Sequence, residues 1–370
     1  MTRVPATTLA IFLLLSFSSV SASLRAQEQE LPTPEQVEAA RQAPLFSSHE
    51  VIDLTIEADF PALKREDRSR ESEERPARIV WNTADGESGS LDIQIRTRGN
   101  FRLQRRNCDF PPLRLNVKKG EAAGTLFENQ DKLKVVSPCK IRQDYWEQYV
   151  VLEYLTYRTL NALSDLSFRV RLARVTYVDN TNQDETFTRY AFLIEDDTDM
   201  AQRNEGRKQD WQGGDLLPNR IEPHHAILID VFQYMMGNTD WSAVRMHNME
   251  LFIGSDGALS TVPFDFDFAG IVDARYASPD PSLPIRRVRQ RLFRGFCPDD
   301  AGRSPEEYEP IYELFRLKKD EIYEMWRSQE GLGEDELKDS LEYFDDFYEI
   351  LDDPGKIESR MMRNCRELAG

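Results

Sequence analysis

The chain has 370 residues, enough for two or three domains or one two-lobed enzyme with a substantial core. It carries 65 Asp and Glu against 47 Lys and Arg, a formal net charge of −18, which argues against a nucleic-acid-binding surface. With 40% hydrophobic residues and no internal repeat, its composition is that of an ordinary globular protein.

Residues 1–22 have the composition of a secretory signal peptide. Arg3 supplies the positive end, Leu9 to Phe17 the apolar run, and Val20-Ser21-Ala22 a small-residue cleavage site, with a second option ending at Ala26. The apolar run is too short to span a bilayer and no later stretch is longer, so an exported chain, periplasmic or secreted and without a membrane span, is expected. Four cysteines in such a chain, Cys108, Cys139, Cys297 and Cys365, read as disulfide partners and not as a zinc site, because no CxxC spacing exists. Three connectivities are open by count. Cys108 and Cys139 flank two neighbouring predicted strands, which favours that pair and leaves Cys297 and Cys365 as the remaining candidates.

Residues 23–48 are expected as a polar tether with at most one short helix. Residues 50–60 read as the first strand, and the charged run from Lys64 to Arg78 as a solvated loop. Ile79 to Trp81, Leu91 to Arg98, Leu113 to Lys118 and Lys132 to Val136 alternate as strands do. Ile93, Ile95 and Thr97 face one way and Arg96 and Arg98 the other; Leu133 and Val135 oppose Lys132 and Lys134. A mostly antiparallel sheet with one charged face follows. The run RTRGNFRLQRR concentrates Arg96, Arg98, Arg102, Arg105 and Arg106, and Gly99 lets the backbone turn tightly and expose amides, a combination able to cradle phosphates. The plainer alternative is an exposed basic hairpin.

Asp144 to Leu163 predicts a helix. Trp146, Val150, Glu153 and Tyr157 recur at helical spacing, which puts Glu153 on an aromatic stripe where a carboxylate needs a cation. Lys134, in the strand just before, is the expected partner; a structural salt bridge or a Glu at the edge of the stripe is the alternative. Strands at Phe168 to Val178 and Thr186 to Ile194 follow, then a polar connection from Asp196 to Pro223. Pro223 opens a helix apolar nearly all round, with His224 and His225 assigned to its cap region. Residues 304–369 read as acidic amphipathic helices forming an outer wall.

The stretch from Gly237 to Gly270 gathers the chemistry. Asp240 stands where the preceding helix has stopped, and His247-Asn248, an apolar strand MELFI, a turn from Gly254 to Gly257 and a return strand STVPFDFDFAG follow. The alternation from Phe264 to Phe268 predicts a strand with Asp265 and Asp267 on one face and three rings on the other. An Asp, then an Asn, a hairpin and an Asp in an apolar setting is the order in which kinases hold an acceptor hydroxyl and Mg²⁺. Asp and Asn near turns also serve turn and cap geometry, but two acids among three Phe residues call for a partner. The proline-rich, then basic, run after Gly270 reads as a substrate-side segment.

RTRGN, FPPLRLNVKK, DKLKVVSPC with its following EYLTYRTLNAL, the glutamate-ended AFLIEDD, and MGNTDWS…HN…VPFDFDFAG occur in the order seen in the CotH-like kinase family, the spore coat protein H kinases. The resemblance covers residues 90 to 300. It implies an α+β, two-lobed, atypical protein-kinase-like fold, with a sheet-rich nucleotide-binding lobe over 49–195 and a helical catalytic lobe over 196–370. It also implies ATP with Mg²⁺ or Mn²⁺, and a protein acceptor. By match of motif, Asp240 corresponds to the catalytic Asp, Asp265 to the metal-binding Asp and Asn248 to a second metal ligand; Asp267, on the same expected strand face, is left to support Asp265 or to bind a second ion. Lys134, Glu153, Arg98 and Glu195 fall on the nucleotide side. The gap from Asp240 to Asn248 is longer than the D-x-x-x-x-N of ordinary protein kinases, and no G-x-G-x-x-G loop is present. The expected reaction is transfer of the γ-phosphoryl group of ATP to a Ser or Thr hydroxyl. The competing expectations are a non-catalytic pseudokinase serving as an envelope binding or assembly protein, and a metal-dependent hydrolase using Asp265 and Asp267.

Overall fold

The computed structural model describes residues 30–66, 72–99, 101–182 and 186–368. The signal-like segment 1–22 and both cleavage options lie outside the described residues. The described part of the expected tether holds a short helix, α1 (Pro34–Arg41), opened by a Thr33–Gln36 capping box with Pro34 in its first turn, and then a 3-10 turn at Pro44–Phe46.

Seven strands follow: β1 (Ile52–Ala58), β2 (Arg75–Asn82), β3 (Ser88–Thr97), β4 (Leu113–Asn116), β5 (Lys132–Val136), β6 (Val170–Asp179) and β7 (Thr186–Ile194). They close into a barrel in the order β1-β2-β3-β4-β5-β7-β6. Neighbours are antiparallel except β1 and β6, which run parallel from Ile52↔Ala173 to Ala58↔Asp179 and shut the barrel. The kinase-like sheet lobe expected from the resemblance is thus overturned: the first part of the chain is a closed barrel. β1 is hydrogen-bonded along both edges, to β2 and to β6, so no free edge remains there. The alternation read from sequence holds strand by strand. Ile93, Ile95, Leu133 and Val135 point into the barrel core with Leu54, Trp81 and Tyr177, while Lys132 and Lys134 do not.

Of the charged run expected as a solvated loop, residues 67–71 lie outside the described residues, and its two ends belong to regular elements. Phe60–Arg65 forms α2, capped by Asp59 through Ala62 N at 2.8 Å, and Arg75 already belongs to β2. Buried Glu66 accepts from Thr97 Oγ1 at 2.6 Å and pairs with Arg75 at 3.3 Å.

Helix α3 (Trp146–Leu163) is buried nearly all round because it is enclosed on two sides. Leu172, Phe192 and Ile194 of the barrel wall share one apolar cluster with it and with the helices that follow, so the largest core runs across residue 195. The stretch expected as a polar connection contains α4 (Asp197–Arg203) and β8 (Arg207–Gln209). Helix α5 (Pro223–Met236), apolar in composition, is buried as expected and ends at Gly237, whose φ of +64° is the left-handed helix stop that glycine accommodates. β9 (Met249–Ile253) and β10 (Leu259–Pro263) form the expected hairpin, with β8 on the far edge of β9. A short α6 (Pro298–Ala301) leads to amphipathic α7 (Glu309–Arg327) and α8 (Glu334–Leu351), then to α9 (Pro354–Arg360). Trp326 of α7 donates from Nε1 to Thr159 Oγ1 of α3 at 3.0 Å, joining these helices to the barrel side.

Two disulfides, Cys108–Cys139 and Cys297–Cys365, match the expected pairing. Among the described residues no helix is long and apolar enough to cross a membrane.

Candidate functional site

Beyond Gly237 the chain turns back on itself. Asn238 Oδ1 accepts from Asp240 N at 3.0 Å, an Asx turn that sets Asp240 at the end of α5. Asp240 Oδ1 lies 2.9 Å from His247 Nε2, and Oδ2 accepts from Asn248 Nδ2 at 3.1 Å. The same Nδ2 donates to Asp240 O at 2.8 Å. The long spacing between Asp240 and Asn248 is a loop closed by a backbone bridge, Ser242 N to His247 O at 3.0 Å and His247 N to Ser242 O at 3.1 Å. That closure returns the Asn to the Asp despite the extra residues.

Asn248 O then accepts from Phe264 N at 3.1 Å, which brings Asp265 next to the pair. Here the expected strand ends. β10 stops at Pro263, Asp265 N donates to Tyr157 Oη of α3 at 2.8 Å, and Asp265 takes φ +63°. A backbone amide bonded to a side chain of another element cannot continue the ladder. The carboxylates therefore do not share a strand face: Asp265 is exposed and Asp267 is 6% exposed. The rings separate too. Phe266 packs against Tyr157 at 4.7 Å and Phe232 at 5.6 Å, whereas Phe268 faces Phe101 at 5.8 Å. Met246, Asn248 and Asp265 all have positive φ, and such outliers concentrate at functional sites.

Negative charge is in excess at this point. Burial, then the neighbouring Asp265, pushes the Asp267 carboxyl up to about 7, against Arg102 and the Tyr276 hydroxyl, which donates to Oδ2 at 2.9 Å. Burial, followed by Asp267 and Asp265, pushes Glu153 well above the usual carboxylate range, against Arg102 and Arg98. Among the described residues no group of three or more His, Cys, Asp or Glu is placed to hold a metal ion.

Arg98, Lys134, Val136, Glu153, Tyr157, Phe168, Ile194, Phe264 and Asp265 line one cleft of about 80 Å³. Lys134 Nζ lies 5.5 and 5.4 Å from the ring centres of Phe168 and Phe264. Its ion pair is with Asp197, at 2.6 Å, and not with Glu153 as expected. Register explains the difference: Lys134 is opposite Ile194 on β7, and α4 starts just beyond with Asp197 in its first turn. The cations that face Glu153 are Arg98 and Arg102. Arg98 Nε is buried and has no hydrogen-bond partner among the described residues, while the Arg102 guanidinium donates to Ser137 O. Arg105 turns elsewhere, to Lys64 O at 3.1 Å.

Glu195, expected on the nucleotide side, is not in the cleft. It is fully buried and accepts from Arg169 Nε at 2.9 Å, Arg203 Nε at 2.8 Å and Arg169 N at 3.0 Å, a closed ion-pair network. The remaining assigned residues come together: Asp240 with Asn248, Asn248 with the start of the 264–268 turn, and Asp265 with Arg98, Lys134 and Glu153. Sequence reasoning left Asp197, Tyr276 and His247 without a role. Asp197 was legible only as the third acid of a polar run, and Tyr276 as one ring in a proline-rich segment. No family model matches the chain, and no curated protein matches it.

Proposed function

We propose that the protein transfers the γ-phosphoryl group of ATP to a hydroxyl, on Ser or Thr of a protein. The observation that carries this reading is the continuity from Asp240 through Asn248 to Asp265, which lines one cleft together with Arg98 and Lys134. One end offers a carboxylate at 40% exposure to an incoming acceptor; the other offers two cations to phosphate oxygens. In the reaction, the acceptor oxygen bonds to Pγ as the Pγ–O bond to ADP breaks, and the acceptor proton passes to Asp240.

The acid cluster fits a divalent cation. Asp265 and Asp267 supply hard oxygens, and burial with the Asp265 charge beside it raises the Asp267 carboxyl, a cost of ionising both acids that a cation would relieve. Mg²⁺ takes one or two carboxylates and completes its shell with phosphates and water, so a three-residue cage is not required. When bound, such a cation offsets the charge of the transferring phosphoryl group. Asn248 commits its amide nitrogen to Asp240 and has Oδ1 for that role. The resemblance to the CotH-like family supports the same assignment of residues, and the two disulfides support an exported protein.

A second reading, a non-catalytic envelope binding or assembly protein, is favoured by the cleft's size. About 80 Å³ is well short of the few hundred that small-molecule sites occupy, so only a phosphate-sized part of a ligand fits inside. Labelled-ATP transfer to a generic protein substrate or to the protein itself separates the two. Asp240→Asn is expected to keep ATP·Mg²⁺ affinity and to lose turnover by about two to four orders of magnitude. Nucleotide binding without transfer in both wild type and Asp240→Asn supports the binding protein instead.

A further inference from the structure

A proton acceptor works only when a lone pair is aimed at the proton it takes, and an exposed Asp side chain left alone samples several rotamers. Asp240 is restrained by two donors, Asn248 on Oδ2 and His247 on Oδ1, the latter at 2.9 Å. Because a carboxylate only accepts, the hydrogen bond assigns a proton to His247 Nε2. Neutral or charged, the imidazole can donate from that atom, so its role here does not depend on titration.

The backbone around His247 is built to deliver it. Met246 and Asn248, the residues on either side, both lie at φ +52°. Met in particular rarely adopts that region unless its surroundings impose it. The Ser242–His247 bridge fixes the same residue through two backbone hydrogen bonds. Stability does not account for this construction, since His247 and Asp240 are 58% and 40% exposed, and an exposed pair of this kind adds little.

We infer that His247 is a positioning residue for phosphoryl transfer, holding the Asp240 carboxylate in the orientation from which it meets the acceptor hydroxyl. This rests on the phosphoryl-transfer reading above. The test compares His247→Leu, which removes the donor, His247→Gln, whose side-chain N–H can replace it, and His247→Leu combined with Asp240→Asn. For each, kcat and KM for ATP, ATP·Mg²⁺ affinity and Tm are measured. His247→Leu is expected to lower kcat by about 10- to 100-fold with KM for ATP and Tm unchanged, and His247→Gln to recover most of that loss. In the Asp240→Asn background the Leu change is expected to do nothing further, because both act through one group. An active wild type in which His247→Leu keeps kcat within about twofold overturns the inference and leaves the reaction standing. Equal losses in Leu and Gln with a falling Tm also overturn it, in favour of a loop-building role. A wild type that transfers nothing removes the reaction itself, and the positioning role with it.

Discussion

Lys134 gives its charge to Asp197, 2.6 Å from Nζ, although Glu153 lines the same cleft. Burial raises the Asp197 carboxyl, but Lys134, and then Lys208 at 3.5 Å, more than offset it and hold the group below the usual carboxylate range. The strand lysine is thus anchored from α4, and the helix glutamate is left to the arginines of the β3–β4 connection.

Lys134→Ala should lower ATP·Mg²⁺ affinity by about tenfold or more, the scale of one charge-assisted hydrogen bond. Lys132→Ala, on the exposed end of the same strand, should leave it unchanged. Thermal-shift titration reads both, since a ligand that binds only the folded state stabilises it by mass action. Equal affinities in the two variants would remove Lys134 from the phosphate side. Glu153→Gln should leave the Lys134–Asp197 pair intact.

Asp265→Ala should abolish the dependence of nucleotide binding on Mg²⁺ or Mn²⁺, because the cation loses its exposed hard ligand. Asp267→Ala should have an intermediate effect, as Asp267 is buried and already bonded by Tyr276 at 2.9 Å. Calorimetric titration of ATP with and without Mn²⁺ decides the order. Metal dependence that survives in Asp265→Ala would place the cation elsewhere.

Stability should fall as pH rises through neutrality, with Asp199 contributing. Its side chain in α4 is 8% exposed, and Oδ2 has no hydrogen-bond partner among the described residues. Burial, reinforced by Asp196 and Glu195 against Lys119 and Arg169, pushes its carboxyl up from 3.8 to about 7. The folded state therefore keeps a proton that the unfolded chain has released. The stability from this group is full below about pH 4 and lost as pH approaches and passes 7, by up to roughly 4 kcal/mol. Urea unfolding at pH 5 and pH 8 should show a smaller difference in Asp199→Asn than in wild type. The same pH difference in both proteins would mean that Asp199 is not the group concerned.

Much of the chain was legible in its sequence because local pattern has a local cause. Alternation at Ile93, Ile95, Leu133 and Val135 fixed which side chains face the barrel core, and the all-round apolar run after Pro223 fixed α5 as buried. The cysteines flanking two neighbouring strands favoured the pairing that the two disulfides have. Three things were decided only by tertiary structure. Alternation states which face of a strand is buried but not what lies at its edge, so the parallel pairing of β1 with β6 that closes the barrel had no local sign. The composition at Lys134 and Glu153 called for counter-charges, but strand register chose Asp197 for one and Arg98 with Arg102 for the other. The Phe-Asp alternation after Pro263 satisfies the strand pattern, yet a hydroxyl 108 residues away, Tyr157 Oη, takes the Asp265 amide. A hydrogen bond made across that separation overrides a two-residue period, because the backbone amide has one proton to give.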